Sequence, residues 1–278
     1  MLFRSFSESF ERSFFFELLG AYNNDKICRY TSLKSALRIL NEGKESVCSI
    51  IGMNDKSECY YADQYLKDVS VSFRLSDLPI SETKELNSYL IMSCSDISKL
   101  DKLTMWRMYG DEAKGVCFKF NIKRDMMKQP IFYLAPVSYA NENGSHPKLE
   151  FIKRVISISI AHHQFRFNNL NLWEHFFKPF EYIDESEVRL LYFCQPKDRN
   201  KYKWITTGNG ILCPIVEFNI EKSKPNEFPL EIESITLGPK CTEKYTNKPE
   251  LAIYANSRNL YSLNNRISIN ISKIENYR

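Results

Sequence analysis

Hydrophobic and polar positions recur with two different periods along this chain of 278 residues. Four phenylalanines near the N-terminus are spaced as on one face of a helix: Phe3, Phe6, Phe10 and Phe14. Charged residues interrupt them, so the pattern predicts an amphipathic helix within residues 1–25 rather than a signal peptide or a membrane span. We expect this helix to pack on the body of the protein or on a partner.

From residue 26 onwards, alternating and β-branched runs are dispersed between helical patterns. Six runs predict strands: KICRYTS, NSYLIMSCS, GVCFKFNI, ESEVRLLYFC, PIVEFNI and ITLGP. Helical spacing covers SLKSALRIL, where Ser32 is placed to cap the helix and Gly43 to end it, and also ISKLDKLTMWRMY and most of residues 145–181. This order indicates an α+β fold with a mixed, mostly antiparallel sheet flanked by helices. No linker divides residues 26–278, so we expect a single α+β domain there.

Composition and charge exclude several function classes. Hydrophobic residues make up 43% and charged residues 26% of the chain, as in globular proteins, and the net charge of +4 permits nucleic-acid contact without requiring it. The eight cysteines are scattered, with no C-x-x-C pair, so we expect reduced thiols and no metal site. The sequence has no G-x-x-x-x-G-K loop and no G-x-G-x-x-G turn, which disfavours P-loop ATPases and Rossmann dehydrogenases. We expect a cytoplasmic protein without integral membrane association.

The segment Glu185-Ser186-Glu187-Val188-Arg189 combines charge with a strand pattern. Side chains two residues apart share a face of a strand, so Glu185, Glu187 and Arg189 should project together. Charges on an otherwise apolar strand must be solvated or paired. Two interpretations follow: a wet, salt-bridged edge strand, or a site whose carboxylates do chemistry.

Two further elements precede this segment along the chain. Arg29 lies on an early predicted strand, and Ser93 and Ser95 share a face of a middle strand. The order of an arginine strand, a Ser-x-Ser strand and a Glu-x-Glu strand resembles the arginine-serine-glutamate class of ADP-ribosyltransferases. These enzymes cleave NAD and transfer ADP-ribose to a target, and the resemblance implies their split sheet as the more detailed fold.

The resemblance implies a role for each of these residues, with NAD as the substrate. Glu187 would stabilise the oxocarbenium-like ribose that forms when nicotinamide leaves, and Glu185 would orient or deprotonate the acceptor. Arg29 would bind an NAD phosphate or ribose. Ser93 and Ser95 would brace the pocket.

Four more residues are candidates for contact with NAD. Tyr30 and Ser32 follow Arg29 directly. Trp106 and Tyr109 offer flat walls to a nicotinamide or adenine ring. Two aromatic residues three apart on a helix also suit an ordinary core, and both interpretations stay open.

A second resemblance covers roughly residues 27–240, to a widespread bacterial family of unknown function. Its marks are an R-Y-x-S opening, an N-D-P-x-E element, a W-x-x-Y…G-V block and an E-x-E-x-R strand. The chain has RYTS, NDKSE with lysine in place of the proline, WRMY…GV and ESEVR. This resemblance implies a shared fold and no particular activity.

Together these patterns predict an NAD-dependent ADP-ribosyltransferase, acting as a bacterial toxin or anti-phage defence effector on protein or nucleic acid. A free toxin needs a neutralising antitoxin protein, and the N-terminal helix is a candidate docking element for it. Two alternatives stay open. One is a non-catalytic module that binds a nucleotide or nucleic acid, and the other is an NAD glycohydrolase that uses water as the acceptor.

Overall fold

The computed structural model describes most of the chain. The described residues are 4–5, 8–52, 61–66, 89–128, 131–161, 165–166, 174–207, 210–224, 228–260, 262, 266–275 and 277. They fall into two compact units. Unit 1 takes in residues 1–22, 48–91 and 134–215, and unit 2 takes in residues 23–47, 92–133 and 216–278.

The elements form an α+β fold whose sheet is open, mixed and mostly antiparallel, as the sequence predicts. The strands are β1 (Arg4–Ser5), β2 (Lys26–Thr31), β3 (Lys44–Ser49), β4 (Tyr89–Asp96), β5 (Val116–Ile122), β6 (Phe132–Pro136), β7 (Ser138–Tyr139), β8 (Phe165–Arg166), β9 (Phe177–Lys178), β10 (Glu187–Phe193), β11 (Lys203–Thr206), β12 (Leu212–Asn219), β13 (Leu230–Leu237) and β14 (Ser268–Ile271). The α-helices are α1 (Glu8–Leu19), α2 (Leu33–Glu42), α3 (Tyr61–Leu66), α4 (Leu103–Tyr109), α5 (Pro147–Ala161) and α6 (Lys244–Ser257). None of these described helices has the length and apolar character needed to cross a membrane.

Unit 2 is organised around antiparallel pairing of β2 with β5. β5 also pairs with β13 in antiparallel fashion, and β13 pairs with β14 in parallel. Every residue of β5 except Lys119 is buried, as expected for a central strand rich in aromatic and β-branched side chains. α2 begins and ends as predicted: the Ser32 hydroxyl accepts a hydrogen bond from the Ser35 amide, and Gly43 takes the left-handed conformation with φ of 62°.

Unit 1 contains α1. Of the four spaced phenylalanines, Phe14 stacks on Phe151 with 6.0 Å between ring centroids. Phe15 is fully buried, and its ring meets Phe176 edge-on with 5.0 Å between centroids. Phe3 and Phe6 lie outside the described residues. The unit also contains antiparallel β11 and β12 and parallel β7 and β9. Six of the seven described cysteines are buried, and no disulfide joins the described ones.

Residues 145–181 are less helical than their pattern predicts. α5 ends at Ala161, and a 3₁₀ turn over Glu174–Phe176 leads directly into β9. Pro179 then separates β9 from a second 3₁₀ helix over Phe180–Glu185, because proline fixes its own φ and has no amide hydrogen to continue a ladder. This second helix brings the chain to the start of β10.

Candidate functional site

An ion pair stands at the start of β10. The Glu187 carboxylate accepts hydrogen bonds from Arg189 Nε at 2.7 Å to Oε1 and from Arg189 Nη2 at 3.0 Å to Oε2. The two residues share a strand face, as their spacing predicts. Glu187 is 4% exposed and Arg189 is fully buried, so the pair lies inside unit 1 and not on the wet edge that one interpretation expected.

Lys178 adds a second cation to this pair. Its ammonium group lies 2.8 Å from Oε2 of Glu187 and 2.8 Å from Oε2 of Glu185. All four charged side chains are buried, and two cations balance two carboxylates. Burial of charge at this density requires such pairing, because an uncompensated buried ion costs several kcal/mol. We call these four residues the buried charge cluster.

Glu185 belongs to this cluster by a route that the sequence does not predict. The prediction that it lies on the strand with Glu187 is wrong, since Glu185 ends the 3₁₀ helix and β10 starts at Glu187. Ser186 between them has φ of 41°, a left-handed conformation that interrupts the extended chain. The two carboxylates come together because both contact Lys178, and not because of a shared strand face.

Backbone and aromatic groups fix the cluster in place. Arg189 Nη1 donates to the His175 carbonyl at 2.6 Å, and the Glu187 amide donates to the Tyr139 hydroxyl at 2.8 Å. The Lys178 ammonium lies 5.0 Å from the centre of the Tyr182 ring, which is a cation–π distance. Each charged group therefore has a defined position.

The surroundings of Glu187 determine its ionisation. Burial by itself would raise the pKa of this carboxyl, but the positive charges of Arg189 and Lys178 and their hydrogen bonds outweigh burial and lower the pKa to about 2. Glu187 is therefore ionised throughout the physiological pH range. Burial also raises the pKa of the Tyr139 hydroxyl, so that hydroxyl stays protonated.

His175 is a neighbour that sequence reasoning missed. Its side chain is almost fully buried, its ring lies 5.7 Å from the Tyr89 ring, and neither ring nitrogen has a hydrogen-bond partner among the described residues. Burial and then the charge of Arg189 lower the pKa of His175 to about 3, so the ring is neutral. The one sequence signal for His175 is its position in the aromatic run WEHFF, which is typical of a buried segment.

Arg29 has a carboxylate partner within unit 2. Its Nη1 lies 2.9 Å from Oε2 and 3.2 Å from Oε1 of Glu45, a side chain that is 1% exposed. The sequence did not single out Glu45. Arg29 therefore balances a buried carboxylate on β3, and a phosphate would have to compete with Glu45 for it.

Tyr30 and Trp106 form part of an apolar cluster in unit 2. Their rings meet edge-on with 4.8 Å between centroids, and Trp106 is fully buried. The Tyr30 hydroxyl donates to the Lys99 carbonyl at 2.7 Å, and Trp106 Nε1 donates to Asp101 at 2.8 Å. For Trp106, the core interpretation is the one that the contacts favour.

The other predicted residues of unit 2 differ in exposure. Tyr109 is 38% exposed at the end of α4, and Ser32 caps α2. Ser95 is buried and stands opposite Cys28 across the β2–β4 pair. The Ser93 hydroxyl oxygen is buried and has no hydrogen-bond partner among the described residues. Unit 2 thus holds all the residues predicted to contact NAD, whereas Glu185 and Glu187 belong to unit 1.

Comparison with known proteins gives one match. Residues 105–190 match the model of a protein family of unknown function, DUF2971. The matched stretch includes the W-x-x-Y…G-V block and ends directly after Arg189, so it takes in the whole buried charge cluster. The R-Y-x-S and N-D-K-S-E segments lie outside it. Neither a curated protein nor a solved structure matches the chain.

The described residues contain no group of three or more His, Cys, Asp or Glu side chains arranged to hold a metal ion. The buried charge cluster offers an ionised carboxylate that is held by two cations, with a neutral imidazole and a protonated tyrosine nearby.

Proposed function

We propose that the chain is an NAD-dependent ADP-ribosyltransferase in which Glu187 is the catalytic carboxylate. The observation that carries the proposal is the state of Glu187, which is ionised and held by Arg189 and Lys178. When the bond between ribose and nicotinamide breaks, nicotinamide leaves with the electron pair and the ribose becomes an oxocarbenium-like cation. A fixed negative charge beside the sugar stabilises that cation.

One oxygen of the Glu187 carboxylate can accept a further hydrogen bond, which the proposal assigns to the sugar. Its Oε2 meets both Arg189 and Lys178, whereas Oε1 accepts one hydrogen bond, from Arg189 Nε. A carboxylate oxygen has two lone pairs, so Oε1 keeps one for a ribose hydroxyl. In this proposal Glu185, on the other side of Lys178, takes the proton from the acceptor nucleophile as that nucleophile bonds to the ribose carbon.

The proposed NAD contacts of unit 2 have unequal support. The unsatisfied hydroxyl of Ser93 and the exposed ring of Tyr109 support contact with NAD. Tyr30, Ser32 and Trp106 already have structural partners. For the remaining two, Arg29 and Ser95, the proposed contact with NAD rests on the resemblance alone. Arg29 would have to release Glu45 before it could bind a phosphate.

The biological role is proposed from the resemblance alone. In this proposal the chain is a bacterial toxin or anti-phage defence effector in the cytoplasm, and an antitoxin protein neutralises it. The acceptor of ADP-ribose is protein or nucleic acid. An NAD glycohydrolase uses the same carboxylate, with water in place of the acceptor.

A second candidate function is a non-catalytic module that binds a nucleotide or nucleic acid. The observation that favours it is the internal pairing of Glu185, Glu187 and Arg29, each of which meets an opposite charge of its own chain. Charges neutralised in this way stabilise a fold without any reaction. The two candidates differ in whether NAD is consumed.

Incubation of the purified chain with NAD, labelled in its adenylate part, and a cell lysate tests the proposal. The Glu187→Gln variant is isosteric and removes the charge. Glu233→Gln is the matched control, because Glu233 is also held by two lysines, Lys26 and Lys119, and has no proposed role in the reaction. Circular dichroism checks that each variant is folded.

The fate of the label separates the candidate functions. The proposal predicts that wild type and Glu233→Gln transfer label to protein or nucleic acid and that Glu187→Gln does not. NAD cleavage without transfer would identify a glycohydrolase. If NAD stays intact in every reaction, including those with lysate from phage-infected cells, both enzymatic functions are excluded and the binding module is the remaining candidate.

A further inference from the structure

One segment of unit 1 concentrates positive charge. The 3₁₀ helix Pro196–Lys201 leads into β11 and β12, and we call residues 196–207 and 210–215 the basic hairpin. Its charged residues are Lys197, Asp198, Arg199, Lys201 and Lys203. Four positive charges and one negative charge give this segment a net charge of +3, compared with +4 for the whole chain. The rest of the chain is therefore close to neutral.

The strand register places exposed apolar side chains next to this charge. Trp204 stands opposite Pro214, and Thr206 stands opposite Leu212. Because alternate residues share a face, these four residues lie on one face of the basic hairpin. Trp204 is 58% exposed and Leu212 is 62% exposed.

Of these four residues Pro214 is buried, and the opposite face of β12 is buried as well. Cys213 is fully buried, and Ile215 is 2% exposed. This face anchors the basic hairpin in unit 1. The strand register therefore places the Trp204 ring on the outer face. Lys203 precedes Trp204 in the chain and, by the same alternation, lies on the opposite face of β11. A large aromatic ring exposed to solvent loses apolar burial unless a partner covers it.

We infer that the basic hairpin binds single-stranded nucleic acid. Lys and Arg side chains neutralise backbone phosphates, and an exposed aromatic ring stacks on an unpaired base whatever its sequence. A duplex offers the same phosphates but no free base face to Trp204. An acidic peptide pairing with the outer edge of β11 would use the lysines but would not need the Trp204 ring.

This inference goes beyond the proposed function, and the binding itself does not depend on it. If the chain is an ADP-ribosyltransferase, the basic hairpin makes single-stranded nucleic acid its acceptor, and only that last step rests on the proposed function. A binding experiment without NAD keeps the two questions separate.

Fluorescence anisotropy with the full chain and dye-labelled RNA or DNA single strands of about 12 nucleotides measures this binding. We expect saturable binding that weakens as salt is raised, because binding releases counterions from the phosphates. If three lysines each neutralise one phosphate, the logarithm of the binding constant falls with the logarithm of the salt concentration with a slope of about −2. A duplex of the same length and an acidic peptide serve as competitors.

Two sets of variants test the basic hairpin itself. Trp204→Ala should weaken binding about tenfold or more without changing the salt slope, because it removes stacking and no charge. Its control is Tyr245→Ala, an aromatic residue of unit 2 that is 76% exposed. Replacement of Lys197, Lys201 and Lys203 by Gln should abolish most of the salt dependence. Replacement of the exposed Lys34, Lys248 and Lys273 by Gln changes the net charge equally and should leave binding intact.

Three results would overturn the inference. The first is the absence of binding to either single strand. The second is an equal loss of binding in the two lysine triple variants, which would indicate attraction to the chain's overall charge. The third is displacement of the single strand by the acidic peptide or the duplex at equal concentration. The binding assay contains no NAD, so a failed transferase assay and a failed binding assay remain distinguishable.

Discussion

At the scale of single residues, the buried charge cluster depends on exact pairing. Lys178 contacts both carboxylates, and Arg189 pairs with Glu187. Removal of one partner from a buried ion pair leaves its counterpart uncompensated and costs far more than removal of an exposed ion. The cluster should therefore respond to substitution more strongly than the surface ion pairs of the same chain do.

Lys178→Met tests this dependence. The substitution removes a cation that lies 2.8 Å from each of two buried carboxylates, and we expect the free energy of unfolding to fall by about 3–5 kcal/mol. Lys26→Met is the matched control, because Lys26 is 41% exposed and its partner Glu233 keeps Lys119. It should cost less than about 1 kcal/mol. Urea denaturation of both variants measures the difference, and equal losses would contradict the account.

The two described histidines of unit 1 predict a loss of stability in mild acid. Burial lowers the pKa of His175 to about 3 and also lowers the pKa of His146, from an ordinary value of 6.5. The unfolded chain takes up protons below pH 6.5 that the folded chain does not, so the free energy of unfolding falls as the pH falls. His175 contributes up to about 1.4 kcal/mol per pH unit between the two pKa values, and His146 contributes in the same direction. Glu187, with its pKa lowered from 4.5 to about 2, adds to the loss only below pH 4.5.

Denaturant unfolding between pH 6 and pH 4.5 checks the assignment to His175. The slope of unfolding free energy against pH should decrease by about 1.4 kcal/mol per pH unit in His175→Phe, which cannot take up the proton. His146 still contributes to the slope in this variant, because burial lowers its pKa in the folded chain. An unchanged slope would mean that His175 is protonated equally in both states.

Part of this residue-scale picture could be predicted from the sequence. The Glu187–Arg189 pair follows from a spacing of two on a strand. Lys178 and His175 lie on other elements, and no periodicity links them to β10. The sequence does not indicate Glu45 for a different reason. Glu45 and the polar Ser49 both lie on the buried face of β3, so this strand lacks the apolar alternation that identifies strands.

At the scale of elements, the turn between α4 and β5 has an unusual backbone. Asp111, Glu112 and Ala113 all have left-handed φ angles, of 54°, 51° and 71°. The turn is closed by amide hydrogen bonds from Ala113 to the Trp106 carbonyl and from Gly115 to the Gly110 carbonyl. An L-residue costs about 1–2 kcal/mol in this conformation, so the turn holds strain in three consecutive residues.

Glu112→Gly should relieve part of that strain. Glycine adopts a positive φ without a steric penalty, and after its greater loss of chain entropy we expect a gain of about 0.5–1 kcal/mol in unfolding free energy. The lost ion pair with Lys114 is exposed and contributes little. Glu250→Gly inside α6 is the control and should lose about 1 kcal/mol. Thermal unfolding of the two variants should shift in opposite directions, and a shift of both in the same direction would contradict the backbone argument.

Strands and helices with a strong hydrophobic pattern could be predicted from the sequence, but the residues at which they begin and end were predicted less accurately. α2 has the predicted cap and stop because both depend on local hydrogen bonds and on one positive φ. β10 begins two residues later than predicted, because nothing in the pattern of Glu185-Ser186-Glu187 shows that Ser186 turns left-handed. The sequence predicts a helix where the structure has short elements after α5. The aromatic residues there fit helical spacing and also fit buried turns, so their pattern does not separate the two.

At the scale of the whole molecule, the concentration of positive charge lies outside the stretch that matches the family model. The family model ends at residue 190, immediately after the buried charge cluster, and the basic hairpin follows it in the chain. The proposed chemistry therefore belongs to the stretch matched by the family, and the inferred nucleic-acid surface to a stretch beyond it. Variants of the two regions should affect catalysis and binding separately.

The rate of nicotinamide release from NAD tests the central claim most directly, because both transfer and hydrolysis break that bond. The account predicts release by wild type in the presence of lysate and a reduction of about 100-fold or more in folded Glu187→Gln, with Glu233→Gln close to wild type. Equal release by wild type and folded Glu187→Gln, or no release by wild type, would contradict it.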